Sequence, residues 1–349
     1  MNVLTLNGGS SSLKFAVYRA GDAAQELELV HSDAVRAGSD AEQMLAPILA
    51  RVARDGVDAV GHRIVFGGPR YESPVLASSA VMDDLEALVA VEPLHLRAEL
   101  DLVYAVRHAL PRARNVLCFD TAFHRRSPAI AHRLPLPPDL DPLLQRYGFH
   151  GLSYEYVASH VPADAGRTVI AHLGSGASLC ALRDRVPVDT TMGFTALGGL
   201  MMGTRPGDLD PGIVLRLLRT DNFDLERLTD LLYYHSGLLG VSGSTADMKS
   251  LLDRASTQDS AREAVDLFVY QLVKQLGAMV AVLGGLDTLV FTGGIGENAA
   301  PIRDRVVASL AYLGDVRTLV IPTDENLMIA RHTLRLTNSS PESRGDPRH

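Results

Sequence analysis

VLTLNGGSSSLKFAVY, residues 3–18, reads as two strands joined by a small, donor-rich turn. An apolar run (Val3–Leu6) meets Asn7-Gly8-Gly9-Ser10-Ser11-Ser12, and a second apolar run (Leu13–Tyr18) follows at once. Short apolar runs bounded by Gly and Ser are strand and turn signals. Two glycines let a backbone approach a ligand closely, and consecutive N–H groups with three hydroxyls can wrap an anion. Lys14, just past the turn, is one of only three lysines, with Lys249 and Lys274, among 33 basic residues. In so lysine-poor a chain its place beside a Gly/Ser turn fits a phosphate contact. The plainer alternative is an ordinary hairpin with a solvated lysine.

The pattern recurs. VIAHLGSGASLCALR (169–183) lies over the first segment without a gap, Gly8 on Gly174, Ser12 on Ser178 and Leu13 on Leu179. A strand–turn–strand repeat in two halves of a chain suggests two similar domains facing a nucleotide. A third segment, TLVFTGGIGENA (288–299), reads as a buried strand ending in Gly293-Gly294, a turn, and then a helical pattern through PIRDRVVASL. Glycines where a strand passes to a helix N-terminus fit close approach of a nucleotide.

At 349 residues, 46% of them hydrophobic, the chain can bury a large core, and two domains are expected. A net charge of −8 with interspersed signs and no basic block argues against nucleic acid or an anionic membrane as partner. Cys118 and Cys180 lie in apolar strand-like runs, the pattern of core residues in a reducing compartment and not of a disulfide or zinc site. No basic region precedes the first apolar run, so it does not read as a signal peptide. The longest apolar stretch, Leu276–Leu286, is too short to span a bilayer. A soluble, cytoplasmic protein is expected.

Strand-like and helix-like segments alternate, which argues for the α/β class. Helical patterns occur at 41–54, 81–90, 97–109, 153–160, 211–219, 224–234 and 260–284. RLPLPPDLDP (133–142) reads as an extended linker, and TNSSPESRGDPRH (337–349) as a polar, disordered tail. Polar clusters interrupt the apolar surroundings: GHRIVFGG (61–68), EPLHLR (92–97), CFDTAFH (118–124), YGFHGLS (147–153) and LGGLMMGTRPGDLDPG (197–212). Asp120 ends a strand, where α/β proteins put ligand-binding groups. Any single histidine here could equally be a core or capping residue. Arginines and acids flanked by glycines, as at Arg205, Asp208 and Asp210, favour a site for anions and a metal.

Together these motifs resemble the acetate kinase family, carboxylate kinases of the actin/hexokinase/Hsp70 superfamily. The resemblance is collinear from Met1 to about Thr333 and includes LNGGSSSLKF, GHRIVFGG, EPLH, FDTAFH, RYGFHG, HLGSG, VDTTMGFT, GLMMGTRPGDLDPG, SGLLGVSG, FTGGIGEN and IPTDENLMIAR. It implies two actin/hexokinase/Hsp70-like domains, duplicated ribonuclease H-like folds with a nucleotide cleft between them. Residues 1–124 completed by 327–349 would bind the acid and phosphate, and 125–326 would bind nucleotide and dimerise. The implied reaction is ATP + acetate ⇌ ADP + acetyl phosphate, with magnesium or manganese, in a homodimer.

Carried over residue by residue, the resemblance implies that Asn7 and Glu325 bind the metal, and that Asp120 lies near it. Lys14 would touch ATP, Arg63 would hold the substrate carboxylate, and Arg205 and His150 would stabilise the transition state. His95 matches a further active-site histidine. The nucleotide pocket would comprise His172, Leu173, Gly174, Ser175 and Gly176, with Asp247, Met248 and Lys249, and with Gly294, Ile295, Gly296, Glu297 and Asn298. Val65, Leu94, Phe149 and Ala196 would line the acyl pocket. A small carboxylic acid has a pKa near that of Glu, about 4.3, so the nucleophile is already ionised at pH 7 and needs no base. The difficulty is bringing two anions together, which calls for arginines, a cation and hydrogen-bond donors.

Departures from the family pattern concentrate on substrate identity. Ala196 replaces a proline of the methyl pocket, and Phe66 stands where a histidine is common. Tyr154 replaces a histidine, Ser175 an asparagine, and Met248-Lys249 a Phe-Arg pair. Lysine lacks the planar guanidinium that can lie on an adenine ring, which implies weaker nucleotide affinity. The chain is also several dozen residues shorter than typical members, with one loss between Leu313 and Val320. Three readings follow: an acetate kinase, a kinase preferring a longer acid such as propionate, and a nucleotide-binding regulator without turnover.

Overall fold

Strands too apolar to face water on either side need helices over both faces, and the chain supplies them twice. The computed structural model describes residues 1–339 apart from 10–11, 22–25, 37, 39, 53–55, 93–94, 138 and 221–222. It divides into a first unit, Met1–Phe123 with Gly151–Tyr156 and the chain from Asp324 onward, and a second, His124–His150 with Val157–Thr323.

The first unit contains β1 (Asn2–Gly8), β2 (Ser12–Ala20), β3 (Leu27–Arg36), α1 (Ala41–Val52), β4 (Ala59–Ile64), β5 (Val75–Leu76), α2 (Ser79–Leu88), α3 (Leu96–Ala109) and β6 (Arg114–Phe119). Its sheet runs β3-β2-β1-β4-β6-β5. β1 and β2 form the antiparallel hairpin read from the sequence, with Asn7 opposite Lys14 and Gly8 opposite Leu13. β1, β4 and β6 are parallel, so their C-terminal ends share one edge. Leu4, Leu6, Phe15, Ile48 and Val60 pack one core cluster, and Ile64, Leu85, Leu100 and Phe119 another.

α4 (Gly151–His160) begins in the first unit and ends in the second. There follow β7 (Arg167–Leu173), β8 (Ala177–Arg183), β9 (Val186–Thr190), α5 (Pro211–Leu218), α6 (Leu225–Tyr234), α7 (Gly237–Ser242), α8 (Met248–Arg254), α9 (Asp259–Leu283), β10 (Thr288–Thr292), α10 (Gly293–Asn298), α11 (Ala300–Ser309) and β11 (Arg317–Val320). The second sheet, β11-β10-β7-β8-β9, repeats the order of the first: an antiparallel meander of three strands, then parallel neighbours beside its first strand. The duplication read from the glycine hairpins therefore extends to whole sheets. The second turn is the tighter one, closing at Leu173 opposite Ala177.

α12 (Glu325–Ser339) returns to the first unit and packs on β1, β4 and β6. It sits directly on the strand backbone, because a Cβ at Gly61 would strike Thr333 Oγ1 and Ile329. This corrects the expected tail: 337–339 are helical, and Thr337 is fully buried and donates to the Thr333 carbonyl at 2.8 Å. Residues 340–349 lie outside the described residues. Two other local readings change. The turn expected after Gly294 is the short helix α10, and α7 and α8 carry helices that the pattern did not announce. The apolar stretch from Leu276 belongs to the 25-residue α9, which is long and apolar enough to cross a bilayer by length and composition. In this fold it packs against β8, β9, α7 and α8, with Phe268, Leu272 and Leu276 buried. Cys118 and Cys180 are free and buried, as expected.

Candidate active site

The parallel strands of the first unit converge their C-terminal ends on a buried polar cluster. Asn7 is the next-to-last residue of β1, Arg63 the next-to-last of β4, and Asp120 follows β6 directly. Arg63 donates from Nε at 3.0 Å and Nη2 at 2.6 Å to Oδ2 of Asp120, and from Nη1 to the Gly8 carbonyl at 2.6 Å. This clamp leaves one N–H on each terminal nitrogen, donors suited to a carboxylate. Burial alone would lower the Arg63 pKa, but Asp120 and Glu325 outweigh it, and the group stays charged. Burial raises the Asp120 pKa and Glu325 adds to the rise, while Arg63 opposes both. Glu325 opens α12 behind Asp324, whose carboxylate caps the helix by accepting from Leu327 N–H at 2.8 Å.

Asn7 donates through Nδ2 to Oε2 of Glu325 at 2.8 Å, so its carbonyl oxygen is the atom offered to a cation. Asp120 Oδ1 is buried and accepts no hydrogen bond. Such an orphaned oxygen, on a carboxylate that feels the charge of Glu325, fits a hard divalent ion, which takes oxygen ligands. Among the described residues no group of three or more His, Cys, Asp or Glu side chains is spaced to hold a metal. Phosphate and water oxygens would have to complete the shell, as suits magnesium.

Two further acids stand near this cluster, and neither was singled out in the sequence. Glu92, fully buried, binds Nδ1 of His95 at 2.8 Å. Glu99, on α3, accepts from the Val65 amide at 2.9 Å. Its signal was an acid on the apolar stripe of α3, at helical spacing with Leu96, Leu100 and Val103. Val65 and Phe66 are buried in the same unit. Leu94 lies outside the described residues, as do Ser10 and Ser11 of the first turn. Lys14 is exposed on β2.

In the second unit the segment before α4 has a left-handed backbone at Gly148 (φ 75°) and His150 (φ 58°). A Cβ at Gly148 would meet the His124 ring at 2.6 Å, so glycine is required twice over there. His124, kept neutral by a burial-lowered pKa of about 4, bonds through Nε2 to the Phe149 carbonyl at 2.8 Å. His150 is thereby turned so that Nδ1 lies 2.8 Å from Ser178 Oγ and its ring stacks on His172 at 4.3 Å. Arg205 is anchored by Nη1 to the Ala196 carbonyl at 2.8 Å. A Cβ built on Gly176 would lie 2.8 Å from Arg205 Nη2 and 3.0 Å from His150 Nε2. The two donors therefore converge on the bare backbone of the β7–β8 turn, where Gly174 N–H bonds the Gly176 carbonyl at 2.9 Å.

Other expected residues serve the fold as well. Asp208 accepts from the Gly199 amide at 2.6 Å and from Gln275 at 2.7 Å, while Asp210 caps α5. Both aspartates of that loop are thus engaged by nearby donors, Asp208 by Gly199 and Gln275 and Asp210 by the Gly212 amide. Asp247 caps α8, Met248 is buried and Lys249 is exposed. Glu297 turns back to its own helix start, accepting from Gly293 N–H at 3.0 Å and Thr323 N–H at 3.2 Å. Asn298 donates to the Gly294 carbonyl at 2.9 Å; Gly294 and Asn298 are exposed and Gly296 is buried. Phe149 and Ala196 are buried in this unit.

Comparison with known proteins identifies the family of the chain. The model of the Acetokinase family matches residues 28–318. The chain is 42% identical to the acetate kinase of Rhodopseudomonas palustris (strain TIE-1), covering 96% of this chain and 98% of that protein. It is 40% identical to the acetate kinase of Methylocella silvestris, covering 96% and 97%. Among solved structures it is similar to a propionate kinase from Francisella tularensis (TM-score 0.85, 31% identity, 96% and 99% covered). It is also similar to the acetate kinase of Porphyromonas gingivalis (TM-score 0.83, 30% identity, 96% and 99% covered). A putative N-acetylmannosamine kinase from Listeria monocytogenes, 12% identical at TM-score 0.54, shares the fold alone. With the family model spanning most of its length and curated relatives matched nearly end to end, the chain belongs to the acetokinase family.

Proposed function

We propose that this chain is an acetate kinase, moving the γ-phosphoryl of ATP to acetate to give acetyl phosphate and ADP. The observation that carries the reading is Arg63, largely shielded from solvent, clamped by Asp120 and Gly8, and left with an N–H on each terminal nitrogen for a carboxylate. A carboxylate oxygen forms the new bond to phosphorus while the bond to the β-phosphate oxygen breaks, and that oxygen keeps the electron pair. No proton leaves the nucleophile, so Asp120 need not act as a base. In the tautomer in which Ser178 Oγ donates to Nδ1 of His150, Nε2 carries the proton and can donate to a phosphoryl oxygen beside Arg205. Magnesium, held by Asn7 and Glu325 with Asp120 nearby, would neutralise phosphate charge when bound.

In this reading the first unit takes the acid and the second the nucleotide. His172–Gly176, Asp247–Lys249 and Gly294–Asn298 serve the nucleotide, Lys14 touches its phosphates, and His95 completes the acid side. The net charge of −8 and the two unpaired cysteines support small-molecule partners and a reducing, cytoplasmic setting. A homodimer is supported by α5, PGIVLRLL, which has no buried residue, and by exposed Leu215, Leu218 and Leu225.

The deciding experiment is hydroxamate trapping of acyl phosphate with acetate, propionate and butyrate, with and without magnesium. Product from acetate that needs both ATP and magnesium supports the reading. ATP binding with no product from any acid would leave the nucleotide-binding regulator. Propionate is the second reading, favoured by the small, buried Ala196. One extra buried methylene is worth about 0.8 kcal/mol, roughly fourfold. Propionate should therefore reach a kcat/KM within about tenfold of acetate, and Ala196→Pro should shift preference back. Propionate about a hundredfold weaker and unaltered by Ala196→Pro would remove this position from size selection.

A further inference from the structure

Glu99 is a carboxyl on the apolar stripe of α3, packed inside the first unit beside Leu96, Leu100 and Val103. An acid at such a position is costly unless it is held by donors or neutralised. Among the described residues Glu99 forms no ion pair, and its hydrogen bond goes to the Val65 amide at 2.9 Å. That amide belongs to the short run leaving β4, which three contacts fix in place. Asp120 N–H binds the Ile64 carbonyl at 2.9 Å, Glu99 takes the Val65 N–H, and Thr121 Oγ1 takes the Gly67 N–H at 3.2 Å. Arg63 lies two residues upstream of Val65, so the same run carries the guanidinium and the first buried side chains after it.

We propose that Glu99 is a positioning residue for the acid substrate, seating the end of β4 and setting the field in which Arg63 receives a carboxylate. This rests on the reading that Arg63 holds the acid. The charged groups acting on Glu99 are Arg63 from β4, His95 from the segment before α3, and Asp120 from the end of β6. Burial pushes its pKa up to about 7, against the pull of Arg63 and His95. A carboxylate arriving at Arg63 brings one more negative charge, which favours the protonated form of Glu99. Acid binding then takes up a proton, and affinity for the acid falls as pH rises past 7 while the acid itself stays ionised.

The test measures KM for acetate, KM for ATP and kcat from pH 6 to 8, with acyl phosphate trapped as hydroxamate. In the wild-type enzyme KM for acetate should rise several-fold across that range. Glu99→Gln keeps an oxygen for the Val65 amide but cannot charge, and it should flatten the profile. Glu99→Leu removes the acceptor and should raise KM for acetate about tenfold, with KM for ATP and kcat little changed. A Glu99→Gln profile that still follows the wild type overturns the inference, as does a Glu99→Leu loss shared equally by acetate, ATP and kcat. Should Glu99→Leu fail to fold, the Glu99→Gln profile decides alone. An active wild type with a flat profile refutes only the role of Glu99; a wild type inactive on every acid refutes the functional reading itself.

Discussion

Arg63 and Glu99 are opposite cases of a buried charge. Arg63 is fully compensated, by Asp120 on one side and the Gly8 carbonyl on the other, and its motif made it visible in the sequence. Removing it with Arg63→Ala should lower kcat/KM for the acid by about 2–4 kcal/mol, roughly 30- to 1000-fold, since it also strands Asp120 without its partner. Steady-state kinetics near wild type would take Arg63 out of the reaction. Among the described residues Glu99 has an amide for a partner, and its one mark in the sequence is its helical spacing with Leu96, Leu100 and Val103. Its stability signature follows from the pKa, raised from an ordinary 4.5 to about 7. Between those values the native state holds a proton that the unfolded chain has released. Stability from this group is therefore complete below pH 4.5 and is lost as pH rises through 7. Glu99→Gln escapes that loss, so its stability relative to wild type should climb by up to about 3 kcal/mol between pH 5 and pH 8. Urea midpoints of the two proteins at both pH values check this, and a constant difference contradicts it.

At the scale of elements, the glycine turns were legible because strand, turn and strand each have a composition of their own. What each turn faces was not legible, since that depends on segments far away in sequence. Gly176 is the clear instance: its missing Cβ makes room for Arg205 Nη2 and His150 Nε2, which arrive from loops on either side of it in the chain. Gly176→Ala should leave the fold intact, because the obstructing atoms belong to side chains and not to backbone, yet push both donors away from the turn. A fall in kcat of at least about tenfold, with unchanged circular dichroism, is expected. An alanine variant as active as wild type would show that the donors need no such approach. The aspartates of the 197–212 loop mark the limit of motif reading. Asp208 and Asp210 look like an anion-and-metal site in sequence, but one binds a backbone amide and a glutamine, and the other starts a helix. Caps and ligands draw on the same few residue types.

For the whole molecule, an unburied apolar helix is the feature that a single chain leaves unsatisfied. Five of the eight residues of α5 are Ile, Val or Leu, and none is buried. With Leu215 55% and Leu225 74% exposed, a second copy of the chain is the proposed cover. Sedimentation should give twice the chain mass for the wild type and one chain mass for Leu215→Glu combined with Leu225→Glu; a monomeric wild type would refute the dimer. The sequence by itself determined the α/β class, the duplication and the family, because strand periodicity, glycine turns and long motifs are local properties that survive without a partner segment. Only the tertiary structure decided that α12 returns to lie on Gly61, bringing Glu325 to Asn7 across more than 300 positions, and that Glu99 faces inward. Those facts follow from which surfaces bury one another, and the pattern of any single segment cannot show what will cover it.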